Sequence, residues 1–254
     1  MKKEYLLSKM TWEEVEKHVS ESGVVLVPVG STEQHGPALP VDNDHYIASE
    51  FAKRTAQQLW NEIRITVAPT VAYGFSHHHM EFAGTVSIQE QTLSMLLVDI
   101  CRSLDAHGFD PIILLNGHGG NASAITNALH VLRDEHGIRA YAVNWWNLAM
   151  DKIKEIVTPP IFHACDMETS VAWSLGQRVL EKKLVDESGK SPVPNYIVPD
   201  MMAGSPTALM ATMMKELTET GNVGHSTEAT KEKGEAISEV VIERLIGFIR
   251  EVTR

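Results

Sequence analysis

Short apolar runs alternate with longer amphipathic stretches from residue 24 to about residue 143. The runs at 24–29, 63–68, 111–115 and 138–143 are of strand length and largely apolar, the pattern of strands buried on both faces. Between them, 44–60, 88–107 and 121–136 carry apolar residues at helical spacing. Thr11 followed by Glu14 predicts a capping box before a short first helix, and Ser87 followed by Glu90 predicts another before 88–107. Gly108 and Gly137 stand where helix-ending glycines belong. Such alternation predicts an α/β fold, with a mainly parallel central sheet flanked by helices on both faces. After Thr158 the regularity fades. Residues 167–180 read as a helix, and 185–206 as a Pro-, Ser- and Gly-containing connection with a short strand at 196–198. A last helix, 228–251, carries Ile237, Val240, Val241, Leu245, Phe248 and Ile249 on one stripe, as expected of a helix packed on a sheet. With no internal repeat, long linker or low-complexity tract, residues 1–254 read as a single domain.

Two of the predicted strands run into loops dense with polar chemistry. The first is Gly30-Ser31-Thr32-Glu33-Gln34-His35-Gly36-Pro37, followed by Asp42-Asn43-Asp44. It lies at a strand's C-terminal end, the rim at which open α/β sheets bind ligands. Glu33 and His35 project to the same side of an extended segment, and Pro37 and Pro40 stiffen the loop that returns Asp44. Glu, His and Asp together form a mixed oxygen and nitrogen set suited to zinc, manganese or iron. The plainer alternative is a polar loop whose acids cap the next helix. The second loop, Asn116-Gly117-His118-Gly119-Gly120-Asn121, again stands between a strand and a helix. Its Gly117, Gly119 and Ala122 satisfy a loose dinucleotide fingerprint, but the next strand ends in Asn144-Trp145-Trp146 rather than the acid a ribose requires.

Glu33-Gln34-His35-Gly36-Pro37 with Asp44, Asn116-Gly117-His118-Gly119-Gly120-Asn121, and His163-Ala164-Cys165-Asp166-Met167-Glu168-Thr169-Ser170 together resemble the creatininase family of metal-dependent amidohydrolases. Ser76-His77-His78-His79 with Gly84-Thr85 resembles a further family stretch, although Ala83 stands where proline is usual. The resemblance implies a creatininase-like fold and two divalent metal ions (zinc, manganese or iron). Glu33 and His118 would hold one metal and His35 the other, with Asp44 between them. One position departs from the pattern: creatininase has a metal-binding glutamate two residues after the NGH histidine, and here Gly120 occupies it. Glu168 is the expected replacement, with Asp166 in reserve.

The chemistry implied is hydrolysis of a C–N bond, in a cyclic or formyl-type amide of a small molecule. Two cations can lower the pKa of a bound water from about 15.7 towards 7 and polarise the carbonyl under attack. No G-x-S-x-G elbow is present, as expected where the protein needs no serine nucleophile. Cys101 falls on an apolar helical stripe and reads as core. His163 matches the family's proton donor to the departing nitrogen; a packing role is the alternative. Trp145 and Trp146 follow a strand end, where one could line a pocket and the other pack beneath it. Trp146 matches a family substrate-binding tryptophan, while Pro159 replaces a second aromatic that Phe162 could supply. Gly119 and Gly120 are expected beside the substrate. Among His77, His78 and His79, an extended backbone would let at most two share one side, and His78 is the expected substrate contact. Family members also include a deformylase, a cofactor-maturation peptidase, and enzymes opening oxidised sugar or cyclitol rings. An isomerase or hydrolase of such a ring, or an inactive ligand-binding member, are the alternatives.

Composition narrows the partners. A formal charge of −11 lacks the basic footprint of a nucleic-acid binder. At 43% hydrophobic residues a full core is available, yet no run approaches the ~20 residues of a membrane span. The start, Met1-Lys2-Lys3-Glu4-Tyr5-Leu6-Leu7, has no sustained apolar region and does not read as a signal peptide. Two cysteines far apart suit a reducing cytoplasm. Met201, Met202, Leu209, Met210, Met213 and Met214 form a methionine-rich patch that reads first as core packing and second as a subunit interface. The resemblance favours a homo-oligomer, a hexamer in the family's usual form. Gly221-Asn222-Val223-Gly224-His225-Ser226 resembles a late family segment, with His225 and Ser226 where other residues are usual.

Overall fold

The computed structural model describes residues 4–203 and 208–254; Met1–Lys3 and the Gly204–Pro206 end of the expected connection lie outside the described residues. The expected alternation is present: α1 (Trp12–Glu21), β1 (Val25–Val29), α2 (Asn43–Leu59), β2 (Thr66–Val67), α3 (Glu90–Ala106), β3 (Ile112–Asn116), α4 (Ala122–His136) and β4 (Ala140–Asn144). All four strands are parallel, in the order β2-β1-β3-β4. β1 and β3 are buried along their whole length, which is why both read as unbroken apolar runs. Pro28 is tolerated inside β1 because the edge strand β2 has already ended at Val67, opposite Leu26.

Successive strand residues feed two cores. Leu26, Ile113 and Leu115 pack with Phe51, Val171, Val241 and Leu245, from α2, α7 (Asp166–Leu175) and α9 (Lys231–Val252). Val25, Val27, Ile112 and Leu114 pack with Leu93, Leu97, Ala128 and Leu132, from α3 and α4. The order 2-1-3-4 reverses direction between β1 and β3, so the crevice at their C-terminal ends is the expected ligand position. Gly117 keeps that crevice tight. A Cβ there would strike the Asp44 main-chain oxygen, so only glycine lets the end of β3 meet the start of α2.

Several local expectations are corrected. The Thr11–Glu14 capping box forms, but the Ser87–Glu90 box does not: Gln89 is the N-cap, and Ser87 Oγ instead accepts the Ser76 amide. The helix expected to reach residue 180 ends at Leu175, where Gly176 turns left-handed at φ 99°. Residues 196–198 form no strand. The late pairing is between β5 (Asp186–Glu187) and β6 (Gly224–His225), antiparallel. Short helices α5 (Trp145–Leu148), α6 (Met150–Ile156) and α8 (Met214–Leu217) complete the set among the described residues. No helix among them is long and apolar enough to cross a membrane.

Candidate metal centre

Glu33, His35 and Asp44, from the loop after β1 and the first turn of α2, meet His118 from the loop after β3 at the β1/β3 crevice. His163 and Glu168 arrive from the segment entering α7. Donor atoms of Glu33, Asp44 and His118 lie within 4.8 Å of one another, as do those of His35, Asp44 and Glu168. The two groups share Asp44. A third such group joins Glu33, His35 and His163.

Distances between partners are short: His35 Nε2 to Asp44 Oδ1 is 2.9 Å, His118 Nδ1 to Asp44 Oδ2 is 3.1 Å, and His118 Nε2 to Glu33 Oε2 is 3.2 Å. Yet Glu33 Oε1, His35 Nε2 and Asp44 Oδ2 are buried without a hydrogen bond of good geometry. Buried polar atoms are seldom left so. Atoms converging at hydrogen-bonding distance without good hydrogen-bond geometry could hold a common cation, and the donor set fits zinc, manganese or iron. The imidazoles are oriented from behind. His35 Nδ1 is 3.2 Å from the Glu33 main-chain oxygen, His118 Nε2 is 3.1 Å from that of Phe75, and His163 Nε2 is 2.7 Å from that of Gln34. Each such contact fixes the ring and leaves its other nitrogen to the site. Ser76 Oγ donates to Glu33 Oε2 and touches Ser31 Oγ.

The electrostatics fit a site that takes cations. Burial opposes ionisation of His35, but Asp44 overrides it and raises the imidazole to about 10. Burial likewise opposes the charge on His118, and Glu33 with Asp44 raises it well above its ordinary value. Asp44 and Glu33, despite burial, are held below the usual carboxylate range by these histidines. Protons on His35 and His118 thus stand in for cations. Burial raises Glu168 to about 7, and burial reinforced by His35 lowers His163 to about 3.

The cluster floors a cavity of about 740 Å³ lined by Phe75, His78, His118, Phe162, His163 and Met210, with Gly119 and Gly120 at its edge. A cleft of about 780 Å³ between Glu21, Trp60 and Arg64 matches it in size but holds none of these groups. Chemistry, not size, identifies the site.

Glu168 brings a carboxylate within 4.8 Å of donor atoms of His35 and Asp44. Its Oε2 also accepts the amide of Ala164, which is held left-handed at φ 49°, a strained conformation for alanine. Asp166, the reserve, is committed elsewhere: it takes Lys233 Nζ at 2.6 Å, Ser170 Oγ and the Thr158 amide. Gly120 could not simply regain a side chain, because its Cβ would collide with His118 Nε2 and the Phe75 carbonyl.

Three further expectations change. His77–His79 form a 3-10 turn rather than an extended segment, so successive side chains rotate by roughly 120° instead of alternating. His77 is exposed, His78 stacks on His118, and buried His79 lies 3.3 Å from Glu33 Oε1. His79 was missed; its signal, the histidine run itself, could not be oriented without knowing the turn. Trp146 is absent from the cavity wall. α5 starts at Trp145 and places Trp145 in the core and Trp146 against it, leaving Phe162 and Phe75 as the phenyl rings at the cavity. The methionine-rich patch is divided: Met201 and Met202 pack on the core and Met214 packs with Leu217 and Val223, while Leu209, Met210 and Met213 line the cavity together with Met201 and Met214.

The sequence profile of the creatininase (creatinine amidohydrolase) family matches residues 8–249. The chain is 34% identical over 241 residues to the mycofactocin precursor peptide peptidase of Mycobacterium tuberculosis, covering 92% of this chain and 86% of that one. It is 27% identical to the creatinine amidohydrolase of Pseudomonas putida, covering 99% and 98% of the two chains. The fold matches a solved manganese creatininase at 28% identity and TM-score 0.77, over 98% of both chains. A match that spans the sheet and the loops carrying Glu33, His118 and Glu168 places this chain in the creatininase family.

Proposed function

We propose that this chain is one catalytic domain that hydrolyses a C–N amide bond of a small molecule with two divalent cations (zinc, manganese or iron). The observation that carries the reading is the set of buried, orphaned atoms on Glu33, His35 and Asp44, of which Glu33 and Asp44 line the cavity. Glu33 and His118 would hold one cation, His35 and Glu168 the other, with Asp44 shared. Bound there, divalent cations make water nucleophilic near neutral pH and polarise a carbonyl. The chain's own residues do the rest. His118 and His35 keep one nitrogen on a main-chain carbonyl and offer the other inward. His163 does the same through Nδ1, which is 3.9 Å from Glu33 Oε1. Lowered to about 3, His163 is neutral at pH 7, so Nδ1 can take a proton from the attacking water and deliver it to the departing nitrogen. Water adds to the carbonyl carbon, the C–N bond breaks, and the products are a carboxylic acid and an amine. His78, Gly119, Gly120 and Phe162 would flank the substrate.

A second reading, cleavage of a peptide amide, is favoured by the apolar outer wall, where Leu209 is 89% exposed. It also agrees with the similarity to the mycofactocin precursor peptide peptidase of Mycobacterium tuberculosis. We further propose a cytoplasmic homo-oligomer. The test is metal analysis of reconstituted, desalted protein, followed by turnover assays on cyclic amides, formyl amides, short peptides and keto-sugars with manganese or zinc. About two metals per chain and turnover of an amide support the reading. One metal or none would overturn the dinuclear assignment. Turnover of keto-sugars alone would move the activity to ring opening.

A further inference from the structure

Four histidines turn a ring nitrogen towards the Glu33 and Asp44 carboxylates: His35, His79, His118 and His163. Three of them are held from behind by main-chain carbonyls. A carbonyl only accepts, so the held nitrogen carries the proton and the neutral ring offers a lone pair to the site.

His79 is held differently. Its Nδ1 lies 2.9 Å from the side-chain Nε2 of Gln34. The orientation of that amide is fixed by groups that have no second option. Gln34 Oε1 accepts the Gly36 amide at 2.9 Å, and Gln34 Nε2 donates to the Gly221 carbonyl at 3.1 Å. A flipped amide would set N–H against N–H and oxygen against oxygen. The remaining Nε2 proton of Gln34 therefore points at His79 Nδ1, which must be a lone pair. The neutral ring then carries its proton on Nε2, on the cavity side, 3.3 Å from Glu33 Oε1.

We propose that Gln34 is a positioning residue that sorts the site's histidines. Its side-chain amide makes His79 present an N–H to the cavity, and its main-chain carbonyl makes His163 present a lone pair. The N–H of His79 is then available to the carbonyl oxygen of a bound amide as negative charge develops on it, while His163 handles the proton of the water. The loop Gly221–Ser226 finds its purpose here. It does not line the cavity; it seats Gln34 on Gly221 and pairs Val223 with the backbone of His163. A Cβ at Gly221, where φ is +85°, would run into the Gln34 amide.

The tautomers can be read without substrate; the catalytic use of His79 rests on the proposed amide hydrolysis. Long-range proton–nitrogen correlation spectra of histidine-labelled protein, metal-free and zinc-loaded, should show His79 protonated on Nε2 and bare on Nδ1. In Gln34→Glu the carboxylate can only accept, so the His79 proton is expected to move to Nδ1. His163, held by the main chain of the same residue, keeps its tautomer and serves as the internal control. With metal content and KM near wild type, kcat on any amide turned over should fall by about 100-fold. Gly221→Ala, which expels the Gln34 amide, should also abolish the His79 preference; if Gln34→Glu does not fold, it and the wild-type spectrum decide. A proton on Nδ1 of wild-type His79, or no change in a folded Gln34→Glu, would overturn the assignment. A changed tautomer with unchanged kcat would overturn its catalytic use alone. Absence of turnover on every amide would instead sink the hydrolase reading and leave the tautomers standing.

Discussion

The two walls of the cavity are built on opposite principles. The inner wall is a buried set of ionisable groups, each imidazole pinned by a named partner: Glu33 for His35, Phe75 for His118, Gln34 for His163. The outer wall, formed by Phe162, Met201, Leu209, Met210 and Met213, is apolar and leaves Phe162, Leu209 and Met210 exposed. The inner wall has one productive arrangement, because a buried charge out of place is costly. Methionines of the outer wall can adapt to several shapes. Chemistry and specificity are thus separated in space, and substitutions on the two walls should differ in kind.

The largest effect is expected at Asp44, the shared carboxylate. Asp44→Asn should abolish metal retention and lower kcat/KM by more than about 100-fold, since even outer partners of metal ligands are worth about 10–100-fold. Full metal content in that variant, by elemental analysis, would remove the basis for two linked sites. Next is His163→Ala, expected to lower kcat by about 100-fold or more with metal retained; near-normal turnover would exclude a proton-handling role. Glu168→Gln keeps an acceptor for the Ala164 amide but loses the charge. Metal affinity at one of the two sites should fall by about 10-fold or more, and unchanged metal content and activity would exclude Glu168 as the replacement for the missing carboxylate.

A pH measurement sharpens the contrast further. His35, raised to about 10, is protonated in the metal-free protein at pH 8, so metal uptake there should release protons into a weak buffer. The sign for stability follows. Between about 6.5 and 10 the native state binds more protons at His35 than the unfolded chain, so this contribution is full below 6.5 and is lost as pH rises through 10. The melting temperature of metal-free protein should fall over that window more than that of loaded protein; parallel curves would contradict the proton-for-cation exchange. The smallest effect belongs to the outer wall. Met210→Ala should change stability by no more than about 0.5 kcal/mol and raise KM for apolar substrates with kcat unchanged. A large loss of kcat would break the division between the walls.

Much of this was legible in residue order. Apolar runs gave β1 and β3, and the loops after them gave Glu33, His35, Asp44 and His118, because a strand delivers whatever follows it to the sheet's rim. The Ser87–Glu90 signal failed because Ser87 found a competing partner in the Ser76 amide, eleven residues earlier and outside the helix turn that the signal describes. Asp166 and Glu168 sit two residues apart with similar promise, and the tertiary structure shows that Asp166 is occupied, by Lys233 from α9, Ser170 Oγ and the Thr158 amide.

The sequence by itself determined the parallel α/β layering, the two strand-end loops and the ligand types they carry, since periodicity and local spacing act within a few residues. Tertiary structure alone decided which nitrogen each histidine presents, that the histidine run turns instead of extending, that Trp146 packs away from the cavity, and that Glu168 reaches His35 and Asp44. Those outcomes depend on hydrogen-bond partners and packing surfaces supplied by distant segments, and no local pattern specifies what will stand behind a side chain.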